Sequence, residues 1–291
     1  MTTIHDLLDE YERTAPDTRT KGFYLERLTR EFLLTDPVYA AAFDEVWLWQ
    51  DWPGRDGKAD TGIDLVARER YSGEFCAIQC KFISPKSYLN KEHIDSFFTA
   101  SGKHPFSSRI IVSTTNKWSK HATDALLDQQ IKTTRIGINE LEESGIDWSQ
   151  YRFTDPSTLE PAEPKKLRTH QIEALGAVMQ GFDEHDRGKL IMACGTGKTF
   201  TSLRIAERLV QPGGSVLFLV PSIALLSQSL REWVAEADRP MRAFAICSDN
   251  KVGRNSEDFT LTDLAFPATT NAADLIAEVG KGTNPEGLTV F

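Results

Sequence analysis

Residues 192–199, Met192-Ala193-Cys194-Gly195-Thr196-Gly197-Lys198-Thr199, follow an apolar run, KLIMA, and open a helical one, KTFTSLRIAERLV. No other segment limits the fold as strongly. Glycine at alternate positions lets a backbone curl after a strand, so that its N–H groups face an anion at the start of the next helix. In that arrangement Lys198 reaches the β and γ phosphates of a nucleotide, and Thr199 holds Mg²⁺. The other reading is a strand-to-helix turn with an incidental Gly-Lys-Thr, since Met192 stands where the general pattern starts with glycine. The flanking segments alternate in the same way: helix THQIEALGAVMQGF, strand SVLFLVP, helix IALLSQSLREWVAEA and strand AFAICS. Repeated strand–helix units of this length predict a doubly wound parallel sheet.

Motif I of superfamily 2 helicases and translocases is looser at its first position and keeps the Gly-x-Gly-Lys-Thr end, and this segment resembles it. Leu167-Arg168-Thr169-His170-Gln171 is similar to the Q-motif region, although the family more often has Pro and Tyr where Thr169 and His170 stand. Leu219-Val220-Pro221-Ser222 through Leu225 and Gln228 resembles motif Ia, which touches the nucleic-acid backbone. The resemblance implies a RecA-like domain that binds ATP through Arg168, Gln171 and the loop Cys194, Gly195, Thr196, Gly197, Lys198 and Thr199. On this reading the Gln171 amide pairs with adenine. The plainer alternatives are an exposed helix glutamine and a helix start capped by Ser222.

The first half of the chain has a different rhythm. DTRTKGFYLERLTREFLL places Phe23, Leu25, Leu28, Phe32 and Leu33 at helical spacing. EVWLWQDW alternates as a strand, and TGIDLVARERYSGEFCAIQCKF reads as a hairpin with Ser72-Gly73 in its turn region. A helix around HIDSFFTASG, a strand SRIIVSTT, a helix around KHATDALLDQQI and a short strand TRIGI follow. Within the hairpin, Gln79 and Lys81 project from one face of their strand, and Asp64 can join them across the pair. Such a cluster is costly to bury without a purpose. A hard cation such as Mg²⁺ takes oxygen ligands, which the Asp64 carboxylate and the Gln79 side-chain carbonyl supply, while Lys81 stabilises charge developing on a phosphate. The alternative is a half-exposed salt bridge between Asp64 and Lys81.

Gly62-Ile63-Asp64 followed by Gln79-Cys80-Lys81 resembles the PD-(D/E)xK nuclease superfamily, and within it the Mrr-like branch, where Gln commonly replaces the second acid. The resemblance implies a restriction-endonuclease-like αβββαβ fold. It also implies a glutamate on the preceding helix that completes the metal site. Glu26, in Gly22-Phe23-Tyr24-Leu25-Glu26, fits that position, although the family often has Phe where Leu25 stands. Asp56 and Asp60 read as loop acids, and the tryptophans of WLWQDW read as core residues rather than base-stacking ones.

The formal net charge of -9 over 291 residues excludes whole-molecule attraction to nucleic acid, so DNA must meet a local basic surface. From Lys81 to Arg135 nine basic residues stand against four acidic ones, and this surplus could line a DNA cleft or form a solvated face. Cysteines at 76, 80, 194 and 247 form no Cys-x-x-Cys pair, and the histidines show neither zinc nor catalytic spacing. The acidic start has no apolar segment of a secretion signal, and no apolar run is long enough for a membrane span. A reduced, cytoplasmic protein without membrane partners is expected.

The proline-rich stretch DPSTLEPAEPKK divides the two patterns. The expected organisation is a nuclease domain over 1–154, a linker over 155–166 and the first RecA-like domain over 167–291. Joined in this order they resemble part of single-chain type I-like (type ISP) restriction enzymes and related predicted helicases. That resemblance implies Mg²⁺ and ATP as cofactors, double-stranded DNA as partner, and translocation coupled to phosphodiester hydrolysis in the restriction of foreign DNA. It also implies further domains: a second RecA lobe, and in the restriction enzymes a methyltransferase and a target-recognition domain. No acidic motif II is visible before Phe291, so the chain is expected to be a fragment able to bind nucleotide but not to turn it over. Two other functions fit the residues: a helicase with a catalytically silent DNA-binding module, and a non-helicase ATPase acting on protein partners.

Overall fold

The computed structural model describes residues 2–57, 62–127, 129–152, 155–247, 268–269 and 271–291. Asp60, expected in a loop, lies outside the described residues. The chain divides into two compact units, with the boundary between Ala162 and Glu163.

The first unit opens with three helices, α1 (Ile4–Thr14), α2 (Thr18–Thr35) and α3 (Pro37–Ala42). Each starts at a side-chain cap. Thr3 and Asp6 cap α1 reciprocally, Asp17 accepts from the Thr20 N–H at the head of α2, and Asp36 accepts from the Val38 and Tyr39 N–H groups ahead of Pro37. Five strands follow: β1 (Phe43–Leu48), β2 (Leu65–Glu69), β3 (Phe75–Lys81), β4 (Phe106–Ser113) and β5 (Lys132–Ile136). They form one sheet in sequence order. β1, β2 and β3 pair antiparallel, and β3, β4 and β5 pair parallel. The crossovers carry α4 (Asp95–Ser101) and α5 (Lys120–Asp124), so the expected αβββαβ order is present, with two more helices, α1 and α3, ahead of the first strand than expected.

Alternation along β3 sorts its side chains between two layers. Cys80 meets Thr29 of α2, whereas Ala77 joins a core with Val66, Ile111 and Phe97. The tryptophans sit as core residues. EVWLWQDW leaves the strand after Leu48 for two short 3₁₀ turns, which fold Trp49 and Trp52 into that core.

Arg109 is 4% exposed, so it is not part of any basic surface. Its guanidinium donates to the Ser101 hydroxyl, the Gln129 side-chain oxygen and the carbonyls of Ile131 and Phe98, and lies over the Phe98 ring. Burial lowers its pKa below the usual arginine value.

The stretch expected as a linker is partly folded. After α6 (Ile138–Glu142), β6 (Ile146–Asp147) pairs antiparallel with β7 (Glu160–Pro161), and Pro156 and Leu159 are buried. The β6–β7 pairing, the Ala162 N–H bond to the Gly145 carbonyl and these two buried side chains hold the proline-rich segment to the first unit. Lys165 belongs to the second unit, where its backbone N–H donates to Glu236 and its amine to Glu232.

The second unit contains α7 (Thr169–Glu184), α8 (Lys198–Leu209), β8 (Ser215–Val216), α9 (Ile223–Glu236), β9 (Met241–Ala243), β10 (Ala245–Ile246), β11 (Ala268–Thr269), α10 (Ala272–Gly280) and β12 (Leu288–Val290). Its main sheet is parallel, in the order β8, β12, β9, with crossovers through helices as expected. The expected strand KLIMA pairs with no other strand among the described residues, and Ile191 is 84% exposed. An apolar run becomes a strand only where a neighbouring backbone takes up its N–H and C=O groups. SVLFLVP is likewise shorter as a ladder than its apolar length, although the Phe218 N–H still reaches the Phe291 carbonyl at 2.8 Å.

Candidate functional site

In the first unit Asp64, Gln79 and Lys81 lie together at the C-terminal end of β3. Gly62 has φ +90°, and a Cβ there would stand 2.9 Å from the Ser96 hydroxyl oxygen, so only glycine fits. This turn delivers Asp64 to the head of β2. The Asp64 N–H donates to the Ile78 carbonyl at 2.9 Å, and its carboxylate Oδ2 accepts from the Cys80 N–H at 2.7 Å. Asp64 thus grips the backbone on both sides of Gln79.

Gln79 is 1% exposed. Its Nε2 donates to the Gly62 carbonyl at 2.9 Å, which orients the amide, while the buried Oε1 has no hydrogen-bond partner. A carbonyl oxygen left unpaired in a protein interior costs about 1–3 kcal/mol. Lys81 and Glu26 are partly buried nearby. All three charged groups act on the Cys80 thiol: burial pushes its pKa well up, Asp64 and Glu26 push in the same direction, and Lys81 opposes them, as does the hydrogen bond with Thr29.

The Asp64 carboxylate and the unpaired Gln79 amide oxygen are donors suited to a hard divalent cation, with Lys81 two residues further along the same strand face, while Glu26 acts on the Cys80 thiol. Among the described residues no three His, Cys, Asp or Glu side chains cluster as metal ligands, so the fit depends on the Gln79 oxygen standing in for a third acid.

One supporting feature escaped the sequence reading. Ser113, Thr114 and Thr115, at the end of β4, are buried. Thr114 Oγ1 donates to the Ile83 carbonyl and accepts from the Ile83 N–H, while Thr115 Oγ1 reaches the Ser87 carbonyl at 3.4 Å. These hydroxyls pin the chain that leaves Lys81. Three successive hydroxyl residues closing an apolar strand were the available signal.

The basic surplus divides between the two ends of the sheet. Lys81, Lys86, Lys91, Lys117 and Lys120 lie on or beyond the C-terminal ends of β3 and β4, whereas Lys103 and Lys132 lie at the opposite, N-terminal end of β4 and β5. Arg135 stacks over Trp118.

In the second unit Gly195 and Gly197 adopt φ +74° and +79°, and the loop they curl ends at α8, which begins with Lys198. The Lys198 amine donates to the carbonyls of Met192 at 3.2 Å and Ala193 at 2.9 Å, bridging the loop. Thr199 is half-buried at the first turn of α8, and its carbonyl accepts from the Trp233 indole of α9. Cys194 is exposed on the loop. Arg168 is the exposed N-cap residue of α7. Gln171 is 4% exposed, and its amide is engaged with the loop: Nε2 donates to the Thr196 carbonyl at 3.1 Å, and Oε1 accepts from the Arg168 N–H. A Cβ on Gly197 would stand 2.4 Å from that Nε2. Gln171 is therefore joined to Gly197 rather than presented openly to a base. Ser222 caps α9, as its plainer reading holds.

Residues 34–158 match the restriction endonuclease family, and residues 164–272 match the family described as type III restriction enzyme, res subunit. A solved structure of the ATP-dependent type ISP restriction-modification enzyme LlaBIII bound to DNA is 33% identical, with a TM-score of 0.83 over 100% of this chain. The chain carries a restriction-endonuclease-like domain followed by part of a helicase-like domain, as in type ISP restriction enzymes. It spans 18% of the length of LlaBIII. A nuclease-deletion mutant of the type ISP enzyme LlaGI, solved with a DNA substrate mimic, is 39% identical over 44% of this chain and 12% of that one, with a TM-score of 0.34. No curated protein matches the chain. Among the described residues no helix is long and apolar enough to cross a membrane.

Proposed function

We propose that the first unit is a Mg²⁺-dependent DNA endonuclease and the second the ATP-binding lobe of a DNA translocase, working together to restrict foreign DNA. The observation that carries the nuclease reading is the buried, unpartnered Oε1 of Gln79, fixed beside Asp64. It also favours an active nuclease over a silent DNA-binding module, which would have no reason to retain an unpaired amide oxygen.

Asp64, Gln79 and Glu26 would hold the cation. When bound, Mg²⁺ neutralises charge on the scissile phosphate and makes a coordinated water more acidic. The chain's own groups do the rest. Asp64 is locked by the Cys80 N–H and Gln79 by the Gly62 carbonyl, so neither must reorganise as charge develops. Lys81 places its ammonium by the phosphate, where it stabilises the transition state or orients the attacking water.

In the second unit the loop N–H groups and Lys198 would take the phosphates of ATP, with Thr199 on Mg²⁺. Lys198 exchanges its contacts with the Met192 and Ala193 carbonyls for phosphate oxygens. Double-stranded DNA is the substrate of both units, and the whole enzyme acts in the cytoplasm with its further domains. Nicking of a supercoiled plasmid by the chain, with and without Mg²⁺, tests the nuclease reading. A shift of plasmid mobility without any cutting would favour the silent module instead.

A further inference from the structure

Past Lys81 the chain enters an open cleft of about 740 Å³, lined by Phe82, Ser84, Ser87, Tyr88, His93 and Ser119 among others. One wall is the loop that follows β3 and the other the loop that follows β4. Leu89 and Trp118 bridge the two, with the Leu89 N–H donating to the Lys117 carbonyl and the Ser119 N–H to the Leu89 carbonyl. The buried Thr114 and Thr115 hydroxyls fix the first wall from beneath. The cleft is therefore built on buried hydrogen bonds, although its lining is polar and open.

Its chemistry suits one kind of occupant. Among the described residues the hydroxyls of Ser84 and Ser87 and the phenol of Tyr88 have no hydrogen-bond partner in the chain, and Tyr88 is 57% exposed. Lys86, Lys117 and Lys120 stand exposed on the two loops and form no ion pair among the described residues, while Lys91 is paired with Asp95. Lys21 of α2, ion-paired with Glu12 at 2.7 Å, lies over the Phe82 ring at 5.3 Å at the β3 end of the cleft. Cations and hydroxyls for phosphates, alternating with an exposed aromatic face, form the pattern of a nucleic-acid strand channel.

We infer that this cleft carries one DNA strand leading away from the scissile phosphate, parted from its complement over the cleft, its phosphates on Lys86, Lys117, Lys120 and the serine hydroxyls, and one unpaired base stacked on Tyr88. This rests on the nuclease reading of the adjoining site. Tyr88 is thus a positioning residue, which fixes the strand so that the cut phosphate reaches Asp64 and Lys81.

The test uses the 291-residue chain with an oligonucleotide duplex carrying iododeoxyuridine near one end, irradiated in EDTA so that no cleavage intervenes. Iodouracil crosslinks to an aromatic ring stacked on it, and mass spectrometry of the digest locates the adduct. The expected adduct lies on Tyr88, persists in Tyr88→Phe and is lost in Tyr88→Ala. In cleavage assays with Mg²⁺, Tyr88→Ala should raise KM by about 5- to 150-fold, the range of a lost base stack. Tyr88→Phe should restore KM. Lys117→Ala should weaken binding and flatten its salt dependence, whereas Lys103→Ala, at the far end of the sheet, should do neither. Adducts that avoid Tyr88, or equal effects of Lys103→Ala and Lys117→Ala, overturn the inference. A Tyr88 adduct on a protein that never cuts DNA would instead retain the channel and refute the nuclease reading.

Discussion

Replacement of Gln79 by methionine separates catalysis from stability in a direction that few buried polar residues allow. The side chain keeps its length and loses two polar ends. Loss of the Nε2 bond to the Gly62 carbonyl costs about 0.5–1.5 kcal/mol, and removal of the unpaired Oε1 returns about 1–3 kcal/mol of desolvation. Gln79→Met should therefore leave the first unit within about 1 kcal/mol of the parent without metal, or make it more stable. The midpoint of thermal unfolding would stay about the same or rise, by about 2–4 °C for each kcal/mol gained in a unit of this size. Added Mg²⁺ should distinguish the two proteins. At a concentration about tenfold above its dissociation constant it stabilises a binding protein by about 1.4 kcal/mol, and this increment should appear in the parent and vanish in the variant. Scanning calorimetry of both proteins, in EDTA and in Mg²⁺, reads all four values. A loss of more than about 3 kcal/mol in EDTA would mean that Oε1 has a structural partner, and would remove the main support for the cation site.

The second unit should bind a non-hydrolysable ATP analogue in calorimetric titration, and Lys198→Ala should abolish the binding; phosphate release by the chain should not respond to duplex DNA, because stabilisation by an arginine finger, worth about 10³–10⁵ in rate, is expected from a second lobe. Cys194 is exposed on the loop, whereas burial raises the pKa of both Cys76 and Cys80, so a maleimide at neutral pH should label Cys194 and spare those two, and the analogue should slow the labelling of Cys194. Arg109→Ala should destabilise the first unit by about 1–3 kcal/mol, since it removes the donor from the buried Ser101 hydroxyl and from the partly buried carbonyls of Phe98 and Ile131, and urea unfolding measures the loss.

Much of the first unit was legible because its periodicities are local. The alternation of CAIQCK identified β3, and the spacing of Phe23, Leu25, Leu28, Phe32 and Leu33 identified α2. What local pattern could not reveal was pairing at a distance. EVWLWQDW alternates over its whole length, yet Trp49 and Trp52 turn inward because the core cavity, not the alternation, decides their place. Arg109 reads as one more basic residue until the carbonyls of Phe98 and Ile131 surround it. DPSTLEP has a linker's composition, but Leu159 finds a buried place on the first unit. KLIMA has a strand's composition without a partner strand among the described residues.

At the candidate site the sequence named Asp64, Gln79 and Lys81 through i, i+2 spacing, which fixes a shared face whatever surrounds it. Glu26 rested on resemblance alone, and it falls where its charge reaches Cys80. Gln171 had been assigned to adenine, yet its amide is tied to Thr196 and Gly197, a bond that no spacing rule could anticipate.

The central claim, that the end of β3 is a metal-dependent nuclease centre, is tested most directly by plasmid cleavage with the parent, Asp64→Asn and Lys81→Met proteins across a Mg²⁺ titration. The parent should convert supercoiled plasmid only in the presence of Mg²⁺, and both variants should fold as the parent does and cut at least about 10²-fold more slowly, the loss expected when a group that stabilises the transition-state charge is removed. Cutting by both variants at the parental rate, or by the parent in EDTA, would contradict the account.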